Sequence, residues 1–252
     1  MSLVEKQTRA RGCRLRAALV LTAAVASLAA VATPAALADT TQVEVSGAQL
    51  KLTGLPKSPS GLQLSYVRAP DRFLVVDAGG LQPINPECAS DGPTRVLCDA
   101  TGLLRVDADL GDGDDVFVVD ATKAQGVPKR FAIQVNAGTG ADVVSGGRGD
   151  DAFYGQQGRD VVAGGLGNDF LSGGPSTDAA IGFGGNDTLL GDEGRDALFG
   201  QKGHDLMFGG TQNDVLLARD GERDPKLNCG PGKRQRAVED RRDPPSSNCV
   251  GA

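Results

Sequence analysis

The sequence predicts an all-β solenoid, and three observations predict it. A nine-residue period runs unbroken through the centre of the chain. An excess of glycine sits largely inside that stretch, and short β-rich runs precede it. The 252 residues leave room for one or two domains, and with no Trp, two Tyr and 36 Gly the composition is unlike that of an ordinary globular core.

The period can be read directly. From Ala137 the chain divides into AGTGADVVS, GGRGDDAFY, GQQGRDVVA, GGLGNDFLS, GGPSTDAAI, GFGGNDTLL, GDEGRDALF, GQKGHDLMF and GGTQNDVLL, ending at Leu217. Asp fills the sixth place of every block: Asp142, Asp151, Asp160, Asp169, Asp178, Asp187, Asp196, Asp205 and Asp214. The fourth place is Gly except at Ser176 and Gln212, and the eighth is always apolar, from Val144 to Leu216. These nine blocks hold 21 of the 36 glycines. A disordered Gly/Asp-rich tract would not keep one residue type at every ninth position. Leu110 to Val118 (LGDGDDVFV) is a forerunner in the same register, with Asp115 in the sixth place. Between it and Ala137, residues 119–136 lack the Gly and Asp of the fourth and sixth places. They are expected to form one solenoid turn that keeps its strands and drops its loop chemistry.

Those residue types in that pattern point to a hard cation. Glycine in the first, second and fourth places lets the backbone turn tightly with φ > 0 and direct carbonyl oxygens inward. Asp is short, so its carboxylate stays beside the same loop. Carboxylates and carbonyls are the donors that Ca²⁺ gathers in sets of six to eight, whereas the soft thiolate and imidazole donors of zinc or copper are absent from the blocks apart from His204. His204 stands in the variable fifth place and reads as a solvated loop residue; Asp150 and Asp192 read as accessory surface charge.

The blocks resemble GGxGxDxUx, with U a large apolar residue: the RTX, or haemolysin-type, calcium-binding nonapeptide. The resemblance covers Leu110–Val118 and Ala137–Leu217. It implies a right-handed parallel β-roll in which two nonapeptides make one turn, six residues forming the calcium loop and three a short strand. Two stacks of aspartates then follow: Asp142, Asp160, Asp178, Asp196 and Asp214 on one side, and Asp151, Asp169, Asp187 and Asp205 on the other. Carboxylates about 4.8 Å apart repel by roughly 3 kcal/mol at an effective dielectric of about 20. An ion between turns reverses that sign. All nine, with Asp115, are candidate Ca²⁺ ligands.

The flanks complete the reading. Lys6, Arg9, Arg11, Arg14 and Arg16 precede an apolar run, Ala17 to Ala32, followed by Ala36-Leu37-Ala38, a secretory leader pattern with cleavage expected before Asp39. Cys13 lies before the apolar run, so it is not placed as a lipoprotein cysteine would be. Without residues 1–38 the chain has 21 Lys+Arg against 31 Asp+Glu, a balance of −10. That charge argues against nucleic acid and anionic membrane as partners. No later segment is apolar for long enough to cross a membrane. The remaining cysteines form two close pairs, and proximity favours Cys88–Cys98 and Cys229–Cys249 over the other pairings or a zinc site. Runs at 42–45, 49–52, 61–66, 72–77 and 103–107 predict strands. The chain thus divides into a leader (1–38), a strand-rich N-terminal cap (39–109), the roll (110–217) and a disulfide-closed C-terminal cap (218–252).

The expected function is a secreted calcium-binding repeat protein, free or retained at the cell surface. Its role is structural or interactive, its folding is coupled to Ca²⁺, and any extracellular protein partner is unnamed. An enzyme is not expected, because residues 39–109 hold no His and neither HExxH nor GxSxG. The alternative is an accessory β-roll protein of a secreted hydrolase or toxin system. The array with its closely spaced flanking cysteines also looks similar to small secreted calcium-binding proteins of high-GC Gram-positive bacteria.

Overall fold

The computed structural model describes residues 41–249 apart from 47, 55–60, 68–71, 78–80, 84–86, 93, 120–126 and 233. The expected leader, its cleavage position and Cys13 lie outside the described residues. Every regular element among those described is a β-strand. The strands form two sheets, of ten and eleven strands, whose members alternate along the chain through the repeats.

The nine-residue period dictates this alternation. Places seven to nine form the strand, and the following glycines turn the chain onto the opposite sheet. Each strand therefore pairs in parallel with the strand two blocks on: Phe153 faces Leu171, Val162 faces Ala180 and Leu189 faces Met207. The eighth-place side chains point between the sheets. Val144, Phe153, Val162, Leu171, Ala180, Leu189, Leu198, Met207 and Leu216 are all fully buried and belong to one continuous core.

Stacked turns come so close that the fourth place admits almost nothing but glycine. Gly185 has φ 135°, and a methyl group there would overlap the Gly167 carbonyl oxygen. Ser176 and Gln212 occupy the same place at φ 107° and 81°, a region disfavoured for residues with a Cβ. Ser176→Gly is therefore expected to stabilise the fold by about 1 kcal/mol. An unchanged or lower melting temperature would show that this strain is absent.

Residues 110–136 depart from the expectation. Val116–Val119 pairs with Val143–Ser145, and Arg105–Asp109 with Ala132–Gly140, each at a step of 27 residues. Twenty-seven residues thus make one turn, where the block count implies one and a half. The strand of block 128–136 is kept, within Ala132–Gly140, but block 119–127 adds no paired strand of its own among the described residues. That block has its one Asp, Asp120, in the second place and its one Gly, Gly126, in the eighth, so neither stands where the repeat puts it.

At the N-terminal end, Thr41–Ser46 folds back antiparallel on Gln49–Thr53, and Gly61–Val67 on Arg72–Asp77. Gln49–Thr53 and Gly61–Val67 then pair in parallel with Arg105–Asp109 and Val116–Val119, so the cap is also the first rung of the solenoid. Tyr66, Phe73 and Phe131 pack there with ring centroids 4.8–5.6 Å apart, and the Arg130 guanidinium lies over Phe131 while donating to the Tyr66 hydroxyl. Three strands escaped the sequence reading: Leu81–Pro83, Cys88–Ser90 and Arg95–Asp99. The first contains a proline, tolerated because it is an edge strand. The other two form a hairpin in which Cys88 and Cys98 are directly opposed and bonded.

At the C-terminal end the cap is made of further coils. Lys226–Asn228 and Arg236–Val238 pair in parallel with Leu206–Phe208 and Val215–Leu217, at steps of 20 and 21 residues. Ser247 bridges to Asn228, and Cys229 is bonded to Cys249.

Candidate calcium site

Each sixth-place Asp follows the loop glycines and immediately precedes a strand, which carries its carboxylate to the inner side of the loop. All nine, and Asp115, are at most 4% exposed. The structure stacks them as the resemblance implies, with Asp115 at the head of the Asp142 column despite its 27-residue separation.

The stacking is closer than sequence reasoning anticipated, because a hydrogen bond joins successive turns. The backbone N–H of each Asp donates to Oδ1 of the Asp one turn on. Asp142 donates to Asp160, Asp160 to Asp178 and Asp178 to Asp196, at 2.8–2.9 Å. On the other side Asp151 donates to Asp169, Asp169 to Asp187 and Asp187 to Asp205, each at 2.8 Å. Asp196 donates to Asp214 at 3.0 Å and Asp115 to Asp142 at 2.7 Å.

This arrangement divides the work of each carboxylate. Oδ1 ties two turns together, while Oδ2 of Asp142, Asp160, Asp169, Asp178, Asp187, Asp196, Asp205 and Asp214 is buried with no hydrogen-bond partner. A buried, unsatisfied anionic oxygen is costly. The first-place glycine lets it nestle against the loop: at Gly155 an added methyl group would stand 2.6 Å from Asp160 Oδ2. Asp151 differs, since its Oδ2 accepts the Gly147 N–H at 3.3 Å. It faces the loop of block 128–136, which has no sixth-place Asp, and so marks the start of its column.

Burial pushes these carboxyls up from their ordinary value near 3.8. Asp169 rises to about 8, with Asp151, Asp187 and Asp150 adding repulsion. Burial, with repulsion from neighbouring carboxylates, carries Asp196 and Asp205 to about 7. Asp142, Asp151, Asp160, Asp178 and Asp187 rise to about 6, and Asp214 is also raised, in each case mainly by burial. Such groups are poised to exchange a proton for a metal ion.

Among the described residues no three His, Cys, Asp or Glu side chains converge on one point. A cation held here would have carboxylate and loop carbonyl oxygens as its available donors, a set that suits Ca²⁺ and not zinc. The residues present therefore fit the ion. Calcium would neutralise the Oδ2 column and tie adjacent loops.

Several residues have roles the sequence did not reveal. Asp150 was read as surface charge, yet its Oδ1 accepts the Asn168 N–H, and Asn168 and Asn186 continue the pattern one and two turns on, to the N–H of His204. His204 itself is exposed, its Nδ1 2.5 Å from the Arg223 carbonyl oxygen. Beyond the repeats, Asp224 and Gln235 are fully buried at the loop positions that follow Asp205 and Asp214. Their spacings of 19 and 21 residues hide them from a period of nine; their position just ahead of the strands Lys226–Asn228 and Arg236–Val238 was the available signal.

The family model for the RTX calcium-binding nonapeptide repeat, four copies long, matches residues 136–171 and again 181–216. The gap between the matches falls on the block containing Ser176, whose Asp178 nonetheless keeps its place in the column. No curated protein and no solved structure matches the chain. The family match, the stacked parallel strands and the two inner columns of aspartate agree, and residues 136–171 and 181–216 are RTX-type calcium-binding nonapeptide repeats.

Proposed function

We propose that this is a secreted, non-catalytic protein whose roll folds as it loads calcium and then serves as a rigid structural or interaction element outside the cell. The observation that carries the reading is the unpartnered, buried Oδ2 repeated at every turn. In this reading Asp142, Asp151, Asp160, Asp169, Asp178, Asp187, Asp196, Asp205 and Asp214, with Asp115, supply the carboxylate ligands. Asp151 contributes least, because Gly147 already engages its second oxygen. Two disulfides suit an oxidising compartment and support export. Residues 39–109 and 218–252 act as the ends of the roll.

The test compares two isosteric changes by calorimetric calcium titration. Asp169→Asn keeps an oxygen to accept the Asp151 N–H but removes the charge on Oδ2. It is expected to lose about one ion, or to weaken the two adjoining sites about tenfold or more. Asp150→Asn changes a carboxylate on the outer row and is expected to bind nearly as the wild type does. Equal losses at the two positions would show that the sixth-place residues are not the ligands.

A further inference from the structure

We propose an additional divalent-cation site outside the nonapeptides, between the loop that ends at Asp205 and the loop that ends at Asp224; it rests on the reading of the aspartate columns as calcium ligands. Asp224 repeats the geometry of a column residue. It is fully buried, its Oδ1 accepts the Asp205 N–H at 2.7 Å, and its Oδ2 is buried without a partner. Its own N–H passes the ladder on to Asp243 Oδ1 at 2.8 Å. Burial lifts its carboxyl to about 7, and the charges that act on it are all carboxylates: Asp205, Asp243 and Asp220. The repeat pattern does not mark this site. The family match stops at residue 216, the strand step here is 20 residues, and Pro225 sets Asp224 one place further from its strand, so the step from Asp205 is 19 residues.

The ladder ends one rung later on this side, at Asp243. Asp243 engages both oxygens, Oδ1 with the Asp224 N–H and Oδ2 with the Asp240 N–H, so neither is left without a partner as Asp224 Oδ2 is. The opposite column ends differently. After Asp214 comes Gln235, fully buried, whose Nε2 donates to the Gln212 and Cys229 carbonyl oxygens, both at 2.9 Å. Those carbonyls belong to the two loops that face each other there, and a neutral amide draws them together as a cation would. One column therefore ends on a neutral amide, whose Oε1 is buried without a partner, while the other ends with a carboxylate oxygen, Asp224 Oδ2, buried without a partner after the repeats have finished.

The experiment counts calcium ions bound to the full chain by equilibrium dialysis, for wild type and Asp224→Asn. The variant retains the oxygen that accepts the Asp205 N–H. It is expected to bind about one ion fewer while the remaining sites keep their affinity. An unchanged count and affinity would overturn this site and leave the column reading intact; a wild type that binds no calcium would overturn both. Anomalous diffraction from wild-type crystals grown in calcium guards against a variant that misfolds. An ion peak within about 2.6 Å of Asp224 Oδ2 is expected, and a water or an empty volume there, with peaks at the column aspartates, would overturn the proposal.

Discussion

Chelating calcium is expected to melt the repeats while sparing much of the N-terminal cap. Residues 137–217 carry eleven Asp and one Glu against four Lys and Arg, and about a quarter of them are glycine, so repulsion and chain entropy act together against the metal-free coil. Eight buried Oδ2 atoms of the nine repeat aspartates have no compensation in protein hydrogen bonds. Amide exchange on the full chain should show the backbone N–H groups of Val161, Phe170, Thr188 and Ala197 losing protection in chelator. Those of the strands Gln49–Thr53 and Arg72–Asp77 should retain theirs. Protection should return cooperatively as calcium rises through about 10⁻⁴–10⁻³ M, a range common for extracellular modules. Magnesium should replace it poorly, because it sheds water reluctantly and demands small octahedral sites. Equal protection and an equal melting temperature in chelator and in millimolar calcium would refute metal-coupled folding.

Acid is expected to act as a partial substitute for the ion. The column carboxyls are raised in the folded state, to about 6 for Asp160 and about 8 for Asp169, against 3.8 for the ordinary group. Folding therefore favours their protonated forms. That contribution is fully present below about pH 4 and is lost as pH rises through 6 to 8. In chelator, the melting temperature of the roll should climb as pH falls from 8 towards 4, the reverse of a protein held by salt bridges. In calcium the dependence inverts at the level of binding: protons compete for the same oxygens, and affinity should drop steeply below pH 7. A melting temperature in chelator that is flat or falls across this acid range would show that the carboxyls stay ionised and solvated.

How much of this was legible in the sequence follows from what a period can encode. Asp at every ninth place and an apolar residue two places later fixed the two columns, the 18-residue step and the core from Val144 to Leu216. A period cannot encode contacts that join one turn to the next through space. The N–H to Oδ1 bond between Asp151 and Asp169, and the outer row from Asp150 through Asn168 to His204, depend on how closely the turns approach. Nor does a period survive insertions. Residues 110–136 count as one and a half turns in the sequence because the extra nine residues preserve the register, while among the described residues they add no paired strand. Asp224 and Gln235 were missed because Pro225 and the longer final loops break the count. The strand Leu81–Pro83 was missed because its proline speaks against a strand until its place at a sheet edge is known.

The four strands that end the two sheets have a consequence for how copies of the molecule meet one another. Leu81–Pro83, Lys226–Asn228, Cys88–Ser90 and Arg236–Val238 are each three residues long. A stack of parallel strands with open ends is a template on which identical chains add without limit, as in a growing fibril. Here each exposed rim is brief. Pro83 has no N–H to offer, Lys226 and Arg236 place charge at the far rims, and both disulfides lie beside terminal strands. The axial repetition that stacks the coils therefore offers a second copy only a short strand to extend at either end of each sheet.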